Sequence, residues 1–325
     1  MSAAASSATK CSVVICTFNG ERRLPATLHH LAAQTGLSPS AWEVIVVDNA
    51  SNDQSAELCR SIWLSMNTGV PMQVIDEPTP GLTHARIRGV GAASGAIVVF
   101  VDDDNWLDAN YLQVACELLD QHPEIAICGG RTEPVFESVR PNWFEQHSNW
   151  FAVGSQAAQS GEVTCVWGCG LTIRAEVARR FLTPDATGLL NDRTGSSLSS
   201  GGDTQLCLRA ALAGYKVWYS EQLRLRHWMP QSRMNWTHLI KLIFAIGVDE
   251  SRLKRYRLQL QRRKRDRAWI RWYADSRLLQ LAWCLTALMA HIVRNPTSLT
   301  VTEEGNRQAV PLVFRLGNAA GLMRR

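Results

Sequence analysis

The chain reads as an α/β domain on a mostly parallel sheet flanked by helices, on three grounds. Four short runs that are apolar from end to end recur through the first 101 residues, separated by segments with apolar residues at helical spacing. Strands of that kind are buried on both faces, as in parallel sheets. Each run ends in a polar cluster, where open α/β sheets bind their ligands. With 46% hydrophobic and 19% charged residues in 325, the chain can bury a full core.

Cys11 to Cys16 is the first run. Thr17-Phe18-Asn19-Gly20 turns it, and Leu24, Leu28 and Leu31 follow at helical spacing. Glu43 to Val47 is the second, with a polar turn from Asp48 to Asn52 and a helix carrying Leu58, Ile62 and Met66. Met72 to Ile75 is the third, with Pro78-Thr79-Pro80-Gly81 as its turn and a helix from Leu82 to Ala93. Ala96 to Val101, the most hydrophobic run, leads straight into Asp102-Asp103-Asp104-Asn105. No Gly-x-Gly-x-x-Gly follows the first strand, which argues against a dehydrogenase. After Ile125 to Gly130 the alternation fades, and Glu133 to Gly161 reads as a substrate-facing loop region. In it, Trp143, Phe144, Trp150 and Phe151 either stack on sugar rings or pack the loop onto the domain. Regular elements resume at Trp167 to Ile173, with a helix from Ala175 and a Gly201-Gly202-Asp203 turn opening a helix that ends at Gly214. Lys216 to Ser220 and Leu223 to His227 close the domain as two short strands. From Trp236 the chain reads helical, and its apolar segment Leu278 to Val293 has 16 residues. A spanning helix needs about 20, so this one is packed or lies on a membrane surface.

These elements divide the chain into a disordered tail at 1–9, a catalytic domain at 10–232 and a helical, basic extension at 233–325. The formal charge is +5, but ten Lys or Arg with one acid, Asp266, lie between Arg252 and Arg271, and the remainder sums to −4. A nucleic-acid-binding core is basic on its own account, so no nucleic-acid partner is expected. The basic stretch, with Trp269, Trp272 and Tyr273 after it, suits an anionic membrane surface reached through residues 252–293; a solvated helix face is the alternative. The nine cysteines show no Cys-x-x-Cys pair and read as reduced, buried small hydrophobes. Met1 to Lys10 has neither signal-peptide nor lipidation features, so the expected location is cytoplasmic, peripheral on the inner face of the plasma membrane.

Three consecutive carboxylates at the end of a buried strand repel one another and call for a cation. Carboxylates suit Mg²⁺ or Mn²⁺, which share their remaining sites with phosphate oxygens, and that fits a bound diphosphate. A solvated acidic turn capping the next helix is the alternative. Asp203 has two readings as well: an ordinary helix N-cap, or an ionised carboxylate at a helix N-terminus that acts as a general base.

Val13-Val14-Ile15-Cys16-Thr17-Phe18-Asn19, Val46 to Asp53, Gly81-Leu82-Thr83-His84-Ala85-Arg86, Phe100 to Asp104 and Gly202-Asp203 follow one another as the motifs of family 2 glycosyltransferases do. The chain resembles that family over about two thirds of its length. Tyr215 to Pro230, with Leu225-Arg226-His227-Trp228, resembles the bacterial branch that makes surface or capsular polysaccharide. The resemblance implies a GT-A fold and inverting, metal-dependent transfer from a nucleotide diphosphate sugar, uridine-linked, to a saccharide or lipid-linked acceptor. It implies that Thr17 and Asp48 contact the base, with Asn19 and Asp103 also in the nucleotide-sugar site. Asp102 would meet the ribose and the metal, Arg86 would lie near the nucleotide, Asp104 would bind Mn²⁺ or Mg²⁺, and Asp203 would be the base. His227 is either a further diphosphate or metal contact, or a strand-end histidine bonded locally. Gly202 and Gln205 stand where many relatives carry acids, and Ile87 where Asn is frequent. Two rivals remain. A sugar-nucleotide nucleotidyltransferase needs a Gly-rich loop with a lysine after the first strand, which Thr17 to Arg23 lacks. A non-catalytic nucleotide-binding scaffold is the reading prompted by the missing acidic neighbours of Asp203.

Overall fold

The computed structural model describes residues 9–183, 188–190, 192–194, 198–264 and 276–323. The four apolar runs form β1 (Cys11–Thr17), β2 (Trp42–Asp48), β3 (Met72–Asp76) and β4 (Ile97–Asp102). They pair in parallel in the order β3-β2-β1-β4. Between them lie α1 (Leu24–Ala32), α2 (Ser55–Met66) and α3 (Leu82–Ala92). Successive strand residues point to opposite faces, so a run apolar at every position needs a layer on each side. In β1, Cys11, Val13 and Ile15 pack with Leu24, Leu28 and Leu31 of α1, whereas Val14 joins Ala85 and Val90 of α3.

The chain continues with β5 (Asn105–Leu107), α4 (Tyr111–Gln121), β6 (Ile125–Phe136), α5 (Phe144–His147), β7 (Gly161–Val163), β8 (Thr172–Arg174), α6 (Ala175–Phe181), α7 (Gly202–Leu212) and β9 (Lys216–Met229). The sheet runs β3-β2-β1-β4-β8-β6-β9-β5, with β7 also on β9. Strand β8 is antiparallel to both neighbours, while β9 lies parallel to β6, so the sheet is mostly parallel.

Two expectations change here. The regular structure expected to fade after Gly130 continues to Phe136, because residues 131–136 ladder in parallel with 224–229. The two short strands expected at 216–220 and 223–227 are one strand, β9. It is held along one side by β6, and on the other first by β7 and then by β5. The β6 ladder shifts register between Gly129 and Arg131, where pairing passes from Tyr219 to Arg224.

The last helices are α8 (Trp236–Lys264), α9 (Arg277–Arg294) and α10 (Ala309–Met323). Trp143, Phe144 and Phe151 share a core with Leu239, Leu242 and Ile243 of α8 and Val310 and Val313 of α10. Trp143 and Phe144 therefore pack the loop onto the domain, Phe151 and Trp150 both pack there and line the cavity, and this core crosses the expected boundary at residue 232. Helices α8 and α10 meet backbone to backbone. A Cβ on Gly247 would lie 2.3 Å from the Phe314 carbonyl oxygen, and one on Gly317 would lie 2.2 Å from that of Phe244. Only glycine allows so close an approach.

All nine cysteines are free, seven of them buried. No helix among the described residues is long and apolar enough to cross a membrane. Residues 1–8 of the expected tail, and Trp269, Trp272 and Tyr273 of the expected membrane contact, lie outside the described residues.

Candidate active site

The carboxyl ends of β1, β2 and β4 open into a cavity of about 830 Å³. Thr17, Arg86, Asp102, Asp103, Asp104, Asp203 and His227 all line it. Asp104 and Asp203, from distant parts of the chain, thus share one space. Asn19 and Asp48 are not in its lining, although their neighbours Phe18, Asn49, Ala50 and Asn52 are. Asn19 is exposed, and its side-chain oxygen accepts from the Asn52 amide at 2.8 Å. Asp48 accepts from the Ser51 amide at 3.2 Å. Asn19 thus ties the loop after β1 to the loop after β2, while Asp48 braces the turn that leaves its own strand.

The three aspartates have different surroundings. Asp103 is tied down: Arg23 grips both oxygens at 2.7 and 2.8 Å, and the Thr17 hydroxyl donates to Oδ2 at 2.6 Å. Asp104 pairs through Oδ1 with His227 Nε2 at 3.4 Å and through Oδ2 with Arg233 Nη1 at 3.1 Å, while Asn105 Nδ2 donates to Oδ1. Strand pairing causes the first of these contacts, since Asn105 of β5 sits opposite His227 of β9. Burial works against the Asp104 charge, but His227, Arg233 and Arg23 outweigh it and hold the carboxyl below its ordinary range. Asp102 goes the other way: burial and then Asp104 raise it, against Arg86, His227 and Arg193.

Two carboxylates and an imidazole form a donor set that suits a hard divalent ion. His227 adds a sign of its own, because its Nδ1 is buried with no hydrogen-bond partner among the described residues. In residue type the set fits such an ion. Among the described residues, however, no group of three or more His, Cys, Asp or Glu is gathered to hold one. Asp104 is turned instead to His227, Arg233 and Asn105.

Facing the acids is a cationic side that the sequence reading missed. Arg193 and Arg233 line the cavity with His238. The His238 imidazole is pushed down to about 4 by burial, then by Arg233, Arg193 and Lys241. Burial disfavours the added proton first and the three cations add to that, so it is Arg233, Arg193 and Lys241 that would attract an anion such as a diphosphate. Arg233 comes from the turn after β9 and Arg193 from the stretch between α6 and α7, where no periodicity marks a site.

Asp203 lies in the first turn of α7, half-buried, with Gly201 as the N-cap residue. The ordinary N-cap reading of Asp203 therefore gives way. Asp192, also missed, accepts from the Gly201 amide at 2.8 Å and the Gly202 amide at 2.9 Å, so it caps the helix from outside. Arg86 is buried and stands 3.7 Å from Asp192. Burial disfavours its charge, but Asp102, Asp192 and Asp203 raise its hold on the proton. Gln205 ties Leu190 and Gly188 to α7 through its amide, which gives it a structural task in place of an acidic one.

Comparison with known proteins gives the family and the fold. The model of the family described as Glycosyl transferase family 2 matches residues 12–182. The glucosyl-dolichyl phosphate glucuronosyltransferase of Haloferax volcanii is 24% identical over 248 residues, which cover 74% of this chain and 76% of that protein. Staphylococcus aureus TarS, a poly(ribitol-phosphate) β-N-acetylglucosaminyltransferase, is 30% identical over 113 residues, 35% of this chain and only 19% of that much longer protein. The structure of its residues 1–349 with UDP-GlcNAc superposes with a TM-score of 0.53 at 15% identity, covering 98% of this chain and 93% of that one. The mannosyltransferase PcManGT of Pyrobaculum calidifontis, solved with GDP-Man and Mn²⁺, gives 0.56 at 18% identity, covering 97% and 88%.

Proposed function

The chain belongs to glycosyl transferase family 2 and is a glycosyltransferase of GT-A fold, and from that premise we propose that it transfers one sugar, with inversion, from a nucleoside diphosphate donor to a saccharide or lipid-linked saccharide in polysaccharide assembly. The observation that carries this reading is the meeting of Asp104 and Asp203 in one cavity whose other side bears Arg193 and Arg233. The Asp203 carboxylate takes the proton of the acceptor hydroxyl. The freed oxygen attacks the anomeric carbon opposite the diphosphate, and the bond from that carbon to the phosphate oxygen breaks with its electron pair leaving on the diphosphate. Arg193 and Arg233 offset the charge that grows there. Asp102, Asp104 and His227 would hold Mn²⁺ or Mg²⁺, which when bound supplies Lewis-acid stabilisation of the leaving group. Thr17 flanks the base, Asp48 and Asn19 shape the loops beside it from outside the cavity lining, Asp102 meets the ribose, and Arg86 and Asp103 brace the floor beneath.

A uridine-linked donor is supported by the TarS complex with UDP-GlcNAc, and a lipid-linked acceptor by the dolichyl phosphate in the Haloferax relative's name. The test is hydrolysis and transfer of UDP-glucose, UDP-N-acetylglucosamine, UDP-glucuronate and GDP-mannose with and without Mn²⁺. Turnover of one donor is expected, with Asp203→Asn slower by about 10³-fold, in the range of general-base loss, and Asp104→Ala insensitive to added Mn²⁺. Undiminished turnover in Asp203→Asn removes the base from the reading.

The chain also sits on an anionic membrane surface at its cytoplasmic side. Helix α9 supports this, because its outward face is apolar: Leu278, Ala282, Leu285, Met289 and Val293 are exposed at spacings of three and four. Leu278 is 80% exposed, Val293 75% and the adjacent Trp283 69%. An apolar stripe of this kind, on a helix that ten basic residues precede in sequence, matches a leaflet of acidic lipids.

A further inference from the structure

Gly202 precedes Asp203 and carries no side chain, yet the space beside it is filled. A Cβ built on Gly202 would lie 2.1 Å from Asp192 Oδ2 and 2.9 Å from its Cγ. The Asp192 carboxylate therefore occupies the volume into which a side chain at 202 would project. It is held there from both ends. Its carbonyl oxygen accepts from the Leu82 amide at 3.0 Å, and its amide donates to the Thr83 hydroxyl at 3.3 Å, so the backbone is fixed to the start of α3. Its carboxylate takes the amides of Gly201 and Gly202 at 2.8 and 2.9 Å, so the side chain is fixed to the start of α7.

We propose that Asp192 is the positioning residue of the catalytic base: it supplies, from a separate segment, the acidic partner that position 202 lacks, and through the two glycine amides it sets the direction of Asp203. This rests on the reading of Asp203 as base. Arg86 completes the arrangement, 3.7 Å from Asp192. It also neighbours Asp203: a Cβ on Gly168 would lie 2.7 Å from Arg86 Nη2 and 3.3 Å from Asp203 Oδ2. One buried guanidinium thus stands beside both carboxylates. The helix dipole adds to the amides in favouring a negative charge at this end of α7. The charged groups facing Asp192 are Arg86 from α3, Asp203 from α7 and its own neighbour Arg193. Burial raises its carboxyl, Arg86 opposes, and Asp203 raises it further, to about 6. Its ionisation therefore falls within the pH range of ordinary assays.

Two measurements test the proposal. The first is urea denaturation of Asp192→Ala, Gly202→Glu and the double variant, which needs no substrate. Gly202→Glu should lower the midpoint in the wild-type chain, where it meets Asp192, and not in Asp192→Ala, where the space is free. Equal lowering in both backgrounds overturns the shared position. The second is hydrolysis of the four nucleotide sugars named above, with water as acceptor. A base displaced by about 1 Å loses on the order of 100-fold in rate. That loss is expected in kcat for Asp192→Ala with the donor KM little changed, and Asp192→Ala/Gly202→Glu should recover most of it. In Asp192→Asn, which keeps the shape, the fall in kcat below about pH 6 should shift or vanish. Wild-type kcat and pH profile in both Asp192 variants, with Asp203→Asn inactive, overturns this proposal and leaves the base standing. Full hydrolysis in Asp203→Asn overturns the base itself.

Discussion

At the scale of single residues, carboxylates that line one cavity acquire opposite characters from their partners. Asp104, braced by His227 and Arg233, prefers to be ionised, whereas Asp192 keeps its proton up to about 6. The consequence for stability has a definite sign. The Asp192 carboxyl binds its proton more tightly in the folded chain than its ordinary value of 3.8, so the folded state holds more protons between about pH 4 and 6. Stability contributed by this residue is therefore greatest at the acid end and declines as pH rises through that window. Removing the titration should flatten the slope. Urea denaturation at pH 4.5 and 6.5 should show a smaller loss toward the higher pH in Asp192→Asn than in the wild type; identical slopes would mean that the carboxyl titrates normally.

At the scale of elements, the strands read from apolar runs sit within about one residue of their observed limits, because burial on both faces leaves an unmistakable mark. Strand β9 was less legible. Its hydrophobic pattern is interrupted at Ser220 to Gln222, and what keeps it whole is pairing with β6, β7 and β5, which local sequence does not reveal. The site divides in the same way. Asp102, Asp104 and Asp203 were legible because acids next to strand ends and glycines are conspicuous. Asp192, Arg193 and Arg233 were not, since they come from irregular segments whose approach to the cavity depends on tertiary contacts. The glycine contact between α8 and α10 is equally invisible to periodicity, and it is open to direct test. Gly317→Val places carbon atoms against the Phe244 carbonyl, so the helices must part, at a cost of roughly 3 kcal/mol by the usual scale of overpacking. Thermal unfolding should register that loss, whereas Ala320→Val, on the same helix, serves as the comparison. An unchanged midpoint in Gly317→Val would show that the crossing is looser than described.

At the scale of the whole molecule, the nucleotide half and the helical extension are one body, sharing the aromatic core and the cavity wall formed by His238, Leu242 and Ile246. The outward face of α9 then decides how that body is oriented against a surface. Co-sedimentation with vesicles of phosphatidylglycerol and phosphatidylcholine should be lost in Leu285→Asp/Met289→Asp and weakened by salt, since screening acts on the basic residues and not on the apolar stripe. Equal recovery of variant and wild type in the pellet would exclude α9 as the contact.

The wall contributed by α8 has a further consequence, for the order in which the protein is made. Domains begin folding as they emerge during synthesis, at roughly 5–20 residues per second. The first four strands and their helices can assemble early, from neighbours in the sequence. The cleft cannot be finished then, because α8 is braced by Val310 and Val313, which leave the ribosome more than 200 residues after β4. For many seconds the nascent chain holds its acids in an unroofed trough, and it becomes able to shelter a reactive sugar from water only once Val310 and Val313 have emerged to brace α8.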